Sequence, residues 1–452
     1  MSPKNIAIPR ADAFVASPST PDPSTLEAAA LETASQGFST LPPLGLSAAA
    51  YNSADYLEQE RKTVFAQSWV CVGLASDVPN PGDVYPTDVA GMPIVLVRDG
   101  RKATEAKVTE AKVTEAKATE ARMSENATDS PIDKAIDVDK TIGKAAETVS
   151  LRAFHNICRH RGLQLVNQPC NVQGNLRCPY HSWTYKLDGR LKSTPHFGGY
   201  YKDTYEGFDR TAKGLVPIRC EQWLDMVFVN LSGDAPPLKE YLQPIVERWS
   251  IYDLTQLRRE PKEVGLECNA NWKLAVENFS ESYHLSWVHP ALNSLSRMED
   301  HFTFEVGETH VGQGSLFYNS GAIAGRSLPT FPNLAAHNKQ TVAEYVTVFP
   351  NLMLGVHPDY FLVFIVNPLS PNRTSERMVF YFVGDDAMTP ANQALRHLPI
   401  NLWKLTNDED IDMIERMQSG RNSPSFDGGC FSPALERPVY RFQQKISKVT
   451  NL

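Results

Sequence analysis

The sequence predicts an α+β protein of two domains, an antiparallel β domain followed by one in which helices cover an antiparallel sheet. Three observations carry this. From Ser150 to Leu231 the chain is dense in short strand-like runs, aromatics and Gly/Pro/Asn punctuation, the texture of a small antiparallel β domain. Pro236-Pro237 then marks a linker. Beyond it, helical patterns over Tyr241–Ile251 and Trp272–Val288 give way to strand-like runs at Phe302–Gly307, Val342–Phe349, Tyr360–Val366 and Met378–Val383, with a closing helix over Asp408–Ser419.

Taken in chain order, residues 1–45 are rich in Ser, Pro, Thr and Ala and are expected to form a disordered tail. The first domain is expected over 46–235, opening with a helix in Asn52–Phe65 and strands at Trp69–Gly73 and Ile94–Arg98. Between 101 and 148 lies a low-complexity insertion containing the pentads Thr104-Glu-Ala-Lys-Val, Thr109-Glu-Ala-Lys-Val, Thr114-Glu-Ala-Lys-Ala and Thr119-Glu-Ala-Arg. Five residues turn a helix by about 500°, so each repeat drifts about 140° and no continuous apolar stripe forms. Such a segment is a semi-rigid spacer, not a core. Strand-like sequence returns at Val149–Ile157, and the second domain is expected over 236–452.

Bulk properties narrow the function. At 452 residues, with 42% hydrophobic and 21% charged residues, the chain can bury ordinary cores without disulfide staples. A formal charge of −8 and the lack of any Lys/Arg run argue against nucleic acid as a partner. The longest apolar runs, such as Tyr360–Val366, are far shorter than the roughly 20 residues of a membrane span, and the N-terminus lacks a signal or transit pattern. The seven cysteines are scattered and odd in number, which fits a reducing compartment and places the protein in the cytoplasm.

Two constellations carry chemistry. Cys158-Arg-His160 and Cys178-Pro-Tyr-His181 put one thiolate and one imidazole on each of two loops. That distribution suits a [2Fe–2S] cluster in which two thiolates hold one iron and two histidines the other. Zinc modules usually separate homotypic pairs instead of mixing them within each loop. The surroundings, Asn156-Ile-Cys158-Arg-His160-Arg-Gly162 and Cys178-Pro-Tyr-His181-Ser-Trp-Thr-Tyr185 followed by Asp188-Gly189, resemble the Rieske family. The resemblance implies cluster ligation by Cys158, His160, Cys178 and His181. Cys170, between the loops, fits no ligand position.

The second constellation runs from Asn271 to Pro290. On one helix Glu277, Glu281 and His284 would share a face, while His289 would point about 140° away from His284. Pro290 favours extended geometry at His289, which lets the second imidazole turn back. Two histidines need one carboxylate to complete a facial triad on Fe(II). In Asp408-Glu-Asp410-Ile-Asp412-Met-Ile-Glu415-Arg-Met417, Asp410 shares the apolar face with Met413, Ile414 and Met417, and so is the carboxylate selected.

This segment also resembles Rieske oxygenases, which carry an acidic residue, Tyr-His, a second His five on and a distant Asp. The resemblance implies an alpha subunit with mononuclear iron held by His284, His289 and Asp410, a catalytic bridging carboxylate at Glu281, and a head-to-tail homotrimer. Most members have Asp at the bridging position; the Glu is similar to that of the choline, betaine and carnitine monooxygenase branch. No Gly-x-Gly-x-x-Gly opens a helix after a strand, so electrons are expected from a separate NAD(P)H reductase, with or without a ferredoxin. The leading expectation is monooxygenation of a small quaternary amine, giving an aldehyde hydrate or releasing an N-methyl as formaldehyde, with candidate cage aromatics among Tyr283, Trp287, Phe317, Tyr318, Tyr345 and Tyr360. The alternatives are hydroxylation of an aromatic ring and, in another class, a redox carrier or zinc-stabilised binding protein.

Overall fold

The computed structural model describes residues 44–102 and 149–451, apart from Ser320, Ala322, Ala324, Asn333 and Asn338. The expected tail and most of the expected insertion therefore lie outside the described residues. The chain divides into two compact units: Glu58–Leu242 with Asn367–Leu369, and the rest of the described chain. Among the described residues no helix is long and apolar enough to cross a membrane.

The first unit is built on a seven-stranded sheet from β1 (Val70–Leu74), β2 (Asp83–Val89), β3 (Met92–Lys102), β4 (Val149–His155), β5 (Cys170–Asn171), β9 (Pro217–Trp223) and β10 (Met226–Asn230), in the order β1-β10-β9-β4-β3-β2-β5. Its pairings are antiparallel, as a run of short strands joined by turns favours. β3 pairs with β4 from Ile94↔His155 to Lys102↔Val149, so the strands on either side of residues 103–148 are direct neighbours. A smaller sheet of β6 (Asn175–Arg177), β7 (Thr184–Lys186) and β8 (Leu191–Ser193) carries one of the cysteine loops. Phe154, Leu176, Trp183 and Tyr185 form part of the buried core beneath the loops.

The second unit opens with α1 (Ala49–Asn52), a segment the sequence assigns to the first domain. Buried hydrogen bonds explain its membership. Tyr51 Oη donates to Glu277 Oε1 at 2.8 Å, Asn271 Nδ2 to the Tyr51 carbonyl at 3.1 Å, and Gln418 Nε2 to Asn52 Oδ1 at 2.7 Å. An antiparallel sheet follows, with β11 (Leu257–Arg259), β12 (Val264–Cys268), β13 (His301–Val306), β14 (His310–Ser315), β15 (Ala343–Val348), β16 (Leu352–Val356), β17 (Tyr360–Ser370) and β18 (Arg373–Val383). The order is β11-β18-β17-β16-β15-β14-β13, and β12 also pairs with β18. β14, β15 and β16 are buried along their whole length, because helices cover the face that water would otherwise reach.

Those helices are α2 (Trp272–Phe279), the short α3 (Leu285–Val288) and α4 (Pro290–Asn293), the long α5 (Gln393–Gly420) and α6 (Arg437–Thr450). The segment expected as one helix over Trp272–Val288 is broken. Ser280 closes α2, its hydroxyl donating to the Val276 carbonyl at 2.6 Å, and Glu281 lies outside any helix. The side-chain oxygens of this stretch satisfy backbone groups that a helix would otherwise use.

Candidate active site

The first unit brings the Cys-x-His loop at Cys158 and the Cys-x-x-His loop at Cys178 together as two copies of one turn. The Cys158 amide donates to the Leu163 carbonyl at 2.7 Å, and Gly162 N returns to the Cys158 carbonyl at 2.9 Å. In the second loop the Cys178 amide donates to Trp183 O at 2.8 Å, and Ser182 N to Cys178 O at 3.0 Å. The fourth residue after each cysteine has a left-handed backbone, Gly162 at φ +75° and Ser182 at φ +61°, which closes the turn. Asn156 braces the first loop, donating to Val166 O at 2.7 Å and accepting from Val166 N at 3.0 Å.

Both cysteines are buried free thiols. Burial pushes the Cys158 thiol up; the bond to Tyr185, whose hydroxyl is 3.3 Å from Sγ, works the other way, and the neighbouring Cys178 adds to the rise. The imidazoles of His160 and His181 meet edge to face with centroids 4.7 Å apart, and His160 stacks on Trp183 at 4.9 Å. Nδ1 of His160 is buried with no hydrogen-bond partner. An orphaned buried nitrogen is costly unless something ligates it. Two buried thiols side by side and an unpartnered imidazole nitrogen fit the donor set of an iron–sulfur cluster, in which iron supplies positive charge to the buried sulfurs. Cys170 is exposed on β5, away from this donor set by its place in the fold.

In the second unit His284, His289 and Asp410 offer ligand atoms that all lie within 4.8 Å of one another. The chain reaches this arrangement by turning at the proline. His289 sits at φ −120°, ψ 68° between α3 and α4, and Pro290 starts α4 at a position where its missing N–H costs nothing. Asp410 enters from α5, with Oδ1 2.9 Å from His289 Nε2 and 3.6 Å from His284 Nε2, and accepts from Asn278 Nδ2 at 2.9 Å.

The outer nitrogens are held by carboxylates. His284 Nδ1 is 2.5 Å from Glu281 Oε1, and His289 Nδ1 is 2.7 Å from Glu409 Oε2. A carboxylate at each Nδ1 fixes that nitrogen as the proton carrier and turns Nε2 inward, the usual outer arrangement of a histidine metal ligand. Glu281 is itself fixed, since Oε2 accepts from the amides of Tyr283 and His284. Burial disfavours charge on both rings, yet the bond to Glu281 and the charges of Glu281 and Asp410 raise His284 above the ordinary histidine range. For His289 the bond and charge of Asp410, then Glu409, likewise outweigh burial. The donor set fits a divalent cation, whose charge would replace the extra protons.

The triad faces a cavity between the helices and the sheet. Six adjacent strands each give it one side chain: His301, Gln313, Tyr345, Met353, Phe364 and Glu376 from β13 to β18. Direct pairing of Gln313 with Tyr345 and of Met353 with Phe364 puts these side chains on one face of the sheet. Phe279 and Trp403 come from the helices. Burial, and then the nearby Asp410, pushes Glu376 up to about 7.

Of the expected cage aromatics, Tyr345 alone lines the cavity. Tyr283, Trp287 and Phe317 are exposed, while Tyr318 and Tyr360 hydrogen-bond each other at 2.9 Å in the core. Glu277 points elsewhere too, buried against Tyr51. The sequence reading missed Glu409, Asn278 and Glu376. Glu409 precedes Asp410 directly, and its partner is 120 residues away in sequence, so nothing local marks it.

Known proteins match along most of the chain. A model of the ring-hydroxylating alpha subunit catalytic domain matches residues 254–451, and one of the Rieske [2Fe-2S] domain matches residues 68–205. The oxygenase subunit of a carnitine monooxygenase from Acinetobacter pittii is 25% identical over 388 residues, 84% of this chain and 85% of that one. The oxygenase subunit of a glycine betaine monooxygenase from Chromohalobacter salexigens is 26% identical over 423 residues, 87% of this chain and 82% of that one. The crystal structure of a quaternary ammonium Rieske monooxygenase with a bound inhibitor shares the fold, with a TM-score of 0.67 at 22% identity over 93% of this chain and 98% of that one. With both domain models matched in one chain, the protein belongs to the Rieske non-haem iron oxygenases as an alpha subunit, its first unit holding the domain of the [2Fe–2S] cluster and its second that of the mononuclear iron.

Proposed function

We propose that this enzyme uses O2 and two electrons to hydroxylate a small quaternary amine such as choline or a betaine, the product being an aldehyde hydrate or a carbinol that releases an N-methyl as formaldehyde. One observation carries the reading. Four rings of the cavity form a closed circuit beside the triad: Phe279 to Tyr345 at 5.9 Å, Tyr345 to Trp403 at 5.7 Å, Trp403 to Phe364 at 6.2 Å and Phe364 back to Phe279 at 5.9 Å. Ring faces attract a cation that cannot donate a hydrogen bond, and an aromatic box is how quaternary ammonium groups are held. The similarity to carnitine and glycine betaine oxygenase subunits along most of the chain agrees.

In this reading His284, His289 and Asp410 hold the mononuclear iron, and Cys158, His160, Cys178 and His181 hold the cluster. When bound, the iron supplies dioxygen activation and the cluster supplies one-electron transfer. The chain's own groups do the rest. Glu281 and Glu409 keep the Nδ1 protons of the two histidines and so hold Nε2 free as a ligand. Asn278 fixes the Asp410 carboxylate in register with both rings. Trp403, Phe364, Phe279 and Tyr345 exclude water from the substrate's methyl groups. In the same reading Glu281, with one carboxylate oxygen on His284 and the other held by the amides of Tyr283 and His284, couples the iron site to a cluster histidine of a neighbouring copy in a homotrimer. Electrons come from a separate NAD(P)H reductase, directly or through a ferredoxin, with overall balance R–H + O2 + NADH + H+ giving R–OH + H2O + NAD+.

The test is NADH and O2 consumption by the iron-loaded enzyme with a surrogate reductase, challenged with choline, glycine betaine, carnitine and simple arenes. Aldehyde or formaldehyde formed in step with O2 uptake on one of the amines is the expected result. Tight coupling on an arene with all amines inert would instead assign the chain to aromatic hydroxylation.

A further inference from the structure

The charges around the cavity are one-sided. Its lining contains the carboxylates of Glu281, Glu376 and Asp410 and, among the described residues, no lysine or arginine. Two of the three carboxylates are engaged, Glu281 with His284 and Asp410 with both histidines and Asn278. Glu376 is different. It stands on β18 only 6% exposed, faces the cavity, and has no hydrogen-bond or ion-pair partner among the described residues. A buried carboxylate with no counter-charge is costly, and a chain that keeps one beside a ligand cavity gains from a ligand that supplies the missing charge. Two further polar atoms of the lining, Asn407 Nδ2 and Ser282 Oγ, are buried without partners. They offer a neutral donor and a hydroxyl, which match an alcohol and bring no charge to meet an anion.

We propose that the cavity selects a quaternary amine of net positive charge, an amino alcohol of the choline type, over the corresponding zwitterionic acids, and that Glu376 is the residue that makes the selection. The proposal rests on the quaternary-amine reading and sharpens it. The ammonium group sits among the four rings with Glu376 as its counter-ion. A betaine or carnitine carries its own carboxylate a few bonds from nitrogen, and beside Glu376 that group would meet another carboxylate, with no lysine or arginine in the lining to receive it. Like charges brought together out of water repel strongly, so the rejection works through repulsion as well as through lost attraction.

Equilibrium binding to the purified, iron-loaded enzyme tests this by titration calorimetry under anaerobic conditions. The ligands are choline, glycine betaine, L-carnitine, an arene, and 3,3-dimethyl-1-butanol, the uncharged carbon analogue of choline. Choline is expected to bind at least about tenfold tighter than either zwitterion. Glu376→Gln is expected to weaken choline by about 10- to 100-fold while moving the uncharged analogue by less than about threefold, because a charge and not a shape has been removed. Glu376→Asp, which keeps the charge, is expected to recover part of the loss. Zwitterions that bind as tightly as choline would overturn the proposal and leave the quaternary-amine reading standing. Equal weakening of choline and its uncharged analogue in Glu376→Gln would overturn it as well, by showing a structural role. An arene that binds while every amine fails would remove the parent reading itself.

Discussion

In the proposed metal site Asp410 is the carboxylate that joins the two imidazoles, its Oδ1 lying 2.9 and 3.6 Å from their Nε2 atoms. Asp410→Ala is expected to abolish turnover and mononuclear iron binding while leaving the visible spectrum of the cluster unchanged. Full activity in that variant would remove Asp410 from the ligand set. Glu409 acts one step further out, so Glu409→Gln is expected to lower iron affinity or activity by about 10- to 100-fold without eliminating either, as losses of outer partners of metal-bound histidines do. How far residues are legible in sequence follows from these two neighbours. Helical phase groups Asp410 with Met413, Ile414 and Met417; Ile414 is buried, whereas Met417 is 41% exposed, so the inward face of α5 runs through Asp410 and Ile414 and leaves the last of the three apolar residues outside. Glu409 has no such signature. It reaches His289 from the flank of the helix, and only the fold brings the two together. Glu277 fails for the opposite reason, since its phase relation to Glu281 and His284 holds only on an unbroken helix, and Ser280 ends that helix.

The elements show the same division between local and distant information. The strand-like runs at Phe302–Gly307, Val342–Phe349, Tyr360–Val366 and Met378–Val383 correspond to β13, β15, β17 and β18, because alternation and β-branched content are local. The cavity is not local. It takes one side chain from each of six strands, and which residues stand level depends on register between segments far apart in sequence. β15 shows what holds that register. Glu344, next to Tyr345, is buried and accepts from Arg248 Nε at 2.8 Å, Trp249 Nε1 at 3.0 Å and Lys339 Nζ at 3.0 Å. Removing one partner of a buried charge cluster leaves the others uncompensated, so Glu344→Ala is expected to cost about 3–5 kcal/mol in chemical denaturation. The pH dependence has a definite sign. Burial raises the Glu344 carboxyl, but Arg248 and Lys339 outweigh it and hold the group below the ordinary carboxylate range. A depressed carboxyl stabilises the fold above its unfolded value and loses that contribution as pH falls through the folded one. Wild type and Glu344→Ala are therefore expected to differ most near neutral pH and to converge in acid, as a denaturation series across pH would show.

At the scale of the whole molecule, each compact unit contains one complete donor set, Cys158, His160, Cys178 and His181 in the first and His284, His289 and Asp410 in the second. Residues 103–148 interrupt the first unit between strands that pair up to Lys102↔Val149, and paired Cα atoms in an antiparallel ladder are about 5 Å apart. A two-residue Asn-Gly turn spans that gap, so replacing 103–148 with it is expected to leave the cluster spectrum intact and the unfolding free energy within about 0.5 kcal/mol of wild type. Separate donor sets also make the metals separately removable. The loaded chain is expected to hold about three irons, two in the cluster and one in the triad. The triad lines a cavity and offers three side chains to one ion, whereas four side chains, two of them thiolates, are available to the cluster. Brief treatment of the reduced enzyme with a chelator is therefore expected to take iron from about three to about two per chain, abolish product formation and spare the reducible visible spectrum. Adding Fe(II) back is expected to restore turnover, while Zn(II), which has no redox chemistry, should occupy the triad without restoring it. Loss of the visible spectrum in parallel with the first iron would show that the two donor sets stand or fall together, contrary to their placement in separate compact units.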